Sequence, residues 1–270
     1  MAITSRDQLI AALANSQHVY FNKSVLTNAV AGRFYSLWRA GGEPAQAVIP
    51  GSQEVCTGEL LGSMQLQPPP EPFLNYVAAV NFSGSLALNS VELHDRICHM
   101  AGLVGNVADL QATNLPLTLA GVAADRIGPE DFSQLQWWLE WYVSTGSTAA
   151  VATVTVVADD DSVHEVDVEL ASNSRLAGLY PIFPPAGKKG IKAVNILQLD
   201  RSTGTAGDFG VTCTRYRCAF STDLANRSQV YDWAQLGLPD IHPDACLALI
   251  QMCTTSNTGN PRGVVRFAVG

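Results

Sequence analysis

The run Leu135-Gln136-Trp137-Trp138-Leu139-Glu140-Trp141-Tyr142-Val143 decides the fold class. Taken as a strand, it puts Leu135, Trp137, Leu139, Trp141 and Val143 on one face. Gln136, Trp138, Glu140 and Tyr142 fall on the other. The first set makes a core face. Each of its tryptophans buries roughly 200 Å², worth several kcal/mol at about 25 cal/mol per Å² before entropy is counted. Trp138 is a large ring among polar neighbours, so it lies under a second layer or meets another chain. Ser144-Thr145-Gly146-Ser147-Thr148 then turns the chain into Val151–Val157, which is β-branched on both faces, as a middle strand is. Asp159-Asp160-Asp161-Ser162 turns it again into Val163–Leu170. There Val166, Val168 and Leu170 alternate with Glu165, Asp167 and Glu169, the pattern of a half-exposed antiparallel strand. The predicted order is a meander with 151–157 between its two sequence neighbours.

Toward the carboxyl end, Ile191–Leu199, Asp208–Phe220 and Val264–Ala268 also read as strands, with Phe209, Val211 and Cys213 pointing inward. Gln229–Leu236 reads as a short helix closed at Gly237. Pro243 sits in the first turn of a helix over 244–253 that is apolar nearly all round and therefore buried. The loops Ser144–Thr148 and Ser202–Ala206 echo one another, and neither has the Gly-Lys-Ser/Thr of a phosphate loop. Toward the amino end, Ser5 and Gln8 form a capping box before Leu9, Ile10 and Leu13. A second helix is predicted over Lys23–Arg39 from Leu26, Val30, Phe34 and Leu37, ending at Gly41-Gly42. Glu43–Pro72, with Pro44, Pro50, Pro68, Pro69, Pro70 and Pro72, reads as an extended arm. Phe73–Leu88 reads as one or two strands bent near Gly84. The expected fold is mainly β with a few helices. It is an antiparallel β-sandwich or jelly-roll-like core with N-terminal helices and extended Pro-rich arms. Residues 1–72 would hold the helices and arm, and 73–270 the β-rich core with its buried 244–253 helix.

Charge and motifs exclude several functions. The chain has 24 acidic and 16 basic side chains, a net charge of −8, which argues against a direct nucleic-acid partner. With 47% hydrophobic and 15% charged residues it is a folded chain whose low charge suits a surface covered by other copies. Met1–Asp7 lacks the basic and apolar regions of a leader, and no apolar run is long enough to span a bilayer, so no membrane is expected. Six scattered cysteines without a CxxC pair read as reduced, buried thiols. Val91–Gly102 gathers His94, Asp95, Arg96, Cys98 and His99, but not at the His-x-x-x-His spacing of zinc peptidases. An Asp95–Arg96 pair holding a turn is the preferred reading there. There is no Gly-x-Ser-x-Gly elbow, and His18, His94, His99, His164 and His242 have no local partner pattern. No catalytic, cofactor-binding or metal-ligating residue, and no cofactor, is expected. Interface candidates are Phe34, Tyr35 and Trp38 as an aromatic surface on the second helix, Pro68, Pro69 and Pro70 on the arm, and Trp138 and Tyr142 on the central strand.

Seven stretches carry a family likeness. They are Asp7–Leu13, Tyr35-Ser36-Leu37-Trp38, Asp95-Arg96, Trp138-Leu139-Glu140-Trp141-Tyr142, Ser202–Gly210, Leu236-Gly237-Leu238-Pro239 and Asp244–Leu249. Through them the chain resembles tailed-bacteriophage virion structural proteins encoded among head genes. The resemblance implies a non-enzymatic virion component, made in the host bacterial cytoplasm. It would be homo-oligomeric and in contact with the major capsid protein. A capsid decoration or cement protein is expected over the shell subunit, because the chain lacks the long charged spine helix of a tailed-phage shell. The alternatives are a major capsid, head–tail or tail subunit, or a receptor- or glycan-binding tail component that stacks sugars on Trp138 and Tyr142.

Overall fold

The computed structural model describes residues 4–25, 29–172, 176–256 and 259–270. In chain order its elements begin with α1 (Arg6–Ala14), β1 (Gln17–Lys23), β2 (Phe34–Ser36), β3 (Gly42–Glu43), β4 (Glu54–Val55), β5 (Asn75–Gly84) and β6 (Asn89–His99). Next come β7 (Leu110–Gln111), β8 (Leu117–Thr118), α2 (Ala124–Ile127), β9 (Leu135–Val143), β10 (Ala150–Ala158) and β11 (Val163–Leu170). They are followed by β12 (Gly178–Ile182), β13 (Ile191–Leu199), β14 (Asp208–Thr222) and β15 (Gln229–Asp232). The last are α3 (Trp233–Leu236), β16 (Asp240–Ile241), β17 (Leu247–Cys253) and β18 (Pro261–Val269). The chain forms two compact units, one of Met1–Ala47, Thr57–Asp95 and Arg217–Gly270 (unit 1), the other of Val48–Cys56 and Arg96–Tyr216 (unit 2). Residue 72, where a division was expected, lies within unit 1. The fold is mainly β and antiparallel, with sandwich-like packing in each unit.

Unit 2 contains the decisive stretch. β10 is a middle strand, paired on one side with β11 and on the other with β13. Ala152, Val154 and Val156 face inward, and Val168 and Leu170 of β11 join them. On the opposing sheet β9 runs between β14 and β12. Leu135, Trp137, Leu139 and Trp141 fill the same core, with Phe209 stacked on Trp141 at 4.7 Å between ring centroids and 8° between planes. Val143, at the strand's end, is exposed. The expected meander is therefore corrected: β9 and β10 belong to facing sheets, and β10 takes β13 as its second partner. The Ser144–Thr148 linker crosses between layers instead of making a hairpin. The two similar loops pack on one another, with Thr148 N donating to Thr203 O at 3.1 Å and Gly146 N to Thr203 Oγ1 at 3.3 Å.

In unit 1, β18 lies between β5 and β1 across nearly its whole length. Phe21, Val80, Phe82, Val265 and Phe267 of that sheet pack against Val91, Leu93, Leu247, Leu249 and Phe220. Ser5 caps α1 through the predicted box with Gln8, and the helix packs against β18. Two predicted helices are strands. Over 244–253, residues 247–253 form β17, held between β2 and the start of β6. Over Lys23–Arg39, Lys23 ends β1 and Phe34–Ser36 forms β2; Leu26 lies outside the described residues. Within the predicted 229–236 helix only Trp233–Leu236 is helical, capped by Asp232 and closed at Gly237. The Glu43–Pro72 segment does not extend away from the fold for most of its length. Met64 N donates to Leu247 O, and Gln67 exchanges hydrogen bonds with the Gln17 side chain.

Candidate functional site

The densest group of ionisable side chains is in unit 2, around Arg96 near the end of β6. Strand alternation turns adjacent side chains to opposite faces. The Asp95 carboxylate accepts from Cys246 N at 2.9 Å, whereas the Arg96 guanidinium points to Glu140 of β9 at 2.7 Å. The Asp95–Arg96 turn pair is thereby replaced by two separate contacts within a strand. Arg96 Nη2 also donates to Tyr142 Oη (2.9 Å) and Thr212 Oγ1 (3.1 Å), and its Nε donates to His99 Nδ1 (2.8 Å). Thr212 and Tyr142 each donate to the same Glu140 oxygen. Because His99 Nδ1 accepts from Arg96, the ring proton sits on Nε2 and is donated to Glu54 of β4 at 2.5 Å. Cys56 is fully buried and hydrogen-bonded to His99.

Burial opposes the Arg96 charge, but Glu140 and Tyr142 more than offset it and hold the guanidinium charged. Burial first, then the Glu140 charge, pushes the Tyr142 hydroxyl well above its ordinary range. The hydrogen bond from His99 holds the Glu54 carboxyl below its usual range. A thiol, an imidazole and a carboxylate are the groups that nucleophilic catalysis uses. Here both ring nitrogens are committed and the sulfur is sealed from solvent, so the arrangement ties strands together. A hollow of about 260 Å³ lined by Glu54, Val55, Leu117 and Thr118 touches the cluster only at Glu54. Lys23 in unit 1 is likewise sealed; its Nζ donates to the carbonyls of Ala40 (3.0 Å) and Pro44 (2.6 Å), and burial lowers its pKa to about 8.

The predicted interface residues divide by exposure. Trp138 and Tyr142 are 4% and 1% exposed; Trp138 donates to Thr214 Oγ1, and Tyr142 belongs to the Arg96 cluster. Neither offers a ring for a sugar to stack on. Tyr35 and Trp38 are also buried, Tyr35 against Ala29 and Cys253. Phe34 is half-buried. Pro68 and Pro70 are exposed and Pro69 is half-buried, in an open segment that runs on to Phe73. Helical spacing had grouped Phe34, Tyr35 and Trp38 on one surface, and the strand and turns actually formed there separate them. Sequence reasoning missed the residues that are bare. Tyr20 and Val230 stand out from unit 1's outer sheet face, and Val163 from unit 2's. A shallow groove of about 370 Å³ lies beside Tyr20, Arg262 and Val264. Their signal was available in part, since His18, Tyr20 and Asn22 alternate with half-buried or buried positions in β1.

The fold and its exposed faces thus define a two-unit antiparallel β protein with sealed polar interiors. No family model matches the chain, and no curated protein matches it. Among solved structures it is similar to the VP2 protein of infectious bursal disease virus in derived T=1 particles. That likeness has 9% identity, covers 94% of this chain and 77% of that one, and has a TM-score of 0.18. A structure of the Gt strain of the same virus matches at 10% identity, over 94% and 80% of the chains, with a TM-score of 0.17. Scores this low carry no argument about the fold or the role of this chain.

Proposed function

We propose that the chain is a non-enzymatic structural protein of a tailed-bacteriophage virion, of the capsid decoration or cement kind. It would act through contacts with copies of itself and with the major capsid protein. The observation that carries this reading is the distribution of polar groups. Among the described residues, the concentrated set of reactive side chains around Arg96 and His99 is closed off within a β core. The open features are sheet faces with bare aromatic and aliphatic side chains, which suit association. The motif resemblance to head-gene proteins points the same way. The exposed Pro68–Phe73 segment is a second surface for a neighbour, stiffened by its prolines.

Mass spectrometry of purified particles tests the role directly. The protein is expected in mature virions in a fixed ratio to the shell subunit, and cryo-electron microscopy is expected to place it on the outer surface of the head. Its absence from mature particles would overturn the proposal. Density at the connector or tail would assign it there instead of to decoration.

A further inference from the structure

Two sheet faces carry opposite charges that the chain itself leaves unpaired. In unit 1 the outer face of the β15–β5–β18–β1 sheet is crossed by a row of register neighbours, Val230, Asn81, Val264 and Tyr20. Val230 and Tyr20 are 68% and 67% exposed. Arg262 and Arg266 flank Val264 along β18, both exposed, and His18 pairs in register with Arg266. Among the described residues neither arginine has a carboxylate within ion-pair distance. Arg262 is steadied by Ser83 and Asn226. Of the carboxylates on this face, Glu43 on β3 shares a register row with Arg262 through Asn22 and lines the same groove without ion-pairing to it among the described residues, and Asp232 on β15 is engaged in capping α3.

In unit 2 the outer face of β11 and β10 is acidic. Glu165, Asp167 and Glu169 are exposed and stand opposite Thr155, Thr153 and Val151. Among the described residues none of the three is ion-paired with a cation; Asp167 accepts from Thr153. Val163, 61% exposed, lies on the same face two residues before Glu165. The spacings match. Arg262 and Arg266, like Glu165 and Glu169, are four residues apart on one side of a strand, about 13 Å.

Deepening the assembly role and resting on it, we infer that these two faces bind each other between copies of this chain. Glu165 and Glu169 of one copy face Arg262 and Arg266 of the next, with Asp167 over the Val264–Tyr20 row between them. Because the two patches differ, the contact is head-to-tail, and repetition builds rings or open rows. That geometry suits a subunit laid over a repeating surface.

Sedimentation velocity on the full chain tests it. The parent is expected to self-associate at about 50 mM salt and to weaken at about 500 mM, where screening shortens the range of charge attraction. Arg262→Glu with Arg266→Glu, and separately Glu165→Arg with Glu169→Arg, are each expected to weaken association at least about tenfold. Mixing the two variants is expected to restore association at equal stoichiometry, because one then carries two acidic faces and the other two basic ones. Circular dichroism and melting that match the parent establish that both are folded. If the Arg262 variant fails to fold, Arg266→Glu with Tyr20→Asp carries the same test. A parent that stays monomeric, a reversed variant that associates like the parent, or a mixture that stays apart would each overturn the contact. Particles that contain the protein alongside any of these results would leave the virion role standing. A restored complex together with absence from particles would do the reverse.

Discussion

Arg96 is buried away from bulk solvent, so its neighbours must stabilise its charge. Glu140, Tyr142, Thr212 and His99 all lie within hydrogen-bond distance. A buried pair of this kind adds little net stability over an apolar pair, but removing one partner strands the other at a cost of about 3–5 kcal/mol. Glu140→Leu is therefore expected to destabilise by about 3–5 kcal/mol in urea denaturation, and Arg96→Met by a similar amount. The double substitution is expected to lose well under the sum of the two. Glu54 makes a second prediction, through pH. Its folded pKa is lowered by the His99 hydrogen bond, so its stabilising contribution is complete above the usual value of about 4.5 and drains away as pH falls below it. Melting temperature should drop as pH falls below about 4.5, and Glu54→Gln should reduce that drop. An unchanged acid profile in the variant would show that Glu54 is not coupled to folding. The sequence brought Arg96 and His99 together in one run but paired Arg96 with Asp95 in a turn; apart from the Arg96–His99 bond itself, the partners lie 44 or more residues away on other strands. No local spacing could reveal them.

At the scale of elements, legibility follows from whether one face is wet. β11 alternates because its outer face meets water, and α1 is marked by a capping box. β17 is buried at every position but Met252, and an apolar run without alternation reads equally well as a buried helix. Pro243 tipped that reading the wrong way. The linker after β9 was misread for a related reason: hairpin and layer-crossing loops share the same Ser, Thr and Gly composition. What separates them is close approach. A Cβ on Gly146 would sit 2.0 Å from Thr203 O, so only glycine lets the two echoing loops meet. Gly146→Ala is expected to cost about 1–3 kcal/mol through forced backbone shifts. Faster amide exchange should be confined at first to 144–148 and 202–206. Exchange unchanged in both loops would mean that their packing is not limiting.

Across the whole molecule, the pairing joins strands more than 230 residues apart in sequence, β1 and β18. β1 pairs with β18 from Gln17 opposite Phe267 to Asn22 opposite Arg262, and β18 pairs with β5 from Pro261 opposite Gly84 to Val269 opposite Asn75. Unit 1 therefore cannot complete its outer sheet until β18 is made. Loop closure over such separations comes early in entropy cost and late in reward, which slows folding. A chain ending at residue 260 would leave β1 and β5 without the strand between them. It would also open the aromatic group of Phe21, Phe82 and Phe220, whose ring centroids lie 5.0–6.2 Å apart. That truncated chain is expected to bind a hydrophobic dye such as ANS and to lose amide protection throughout 17–23 and 75–84. A synthetic peptide of residues 261–270 should restore part of that protection by adding a strand to the open edges. Protection in the truncated chain equal to the parent's would show that β18 rides on a sheet already formed without it.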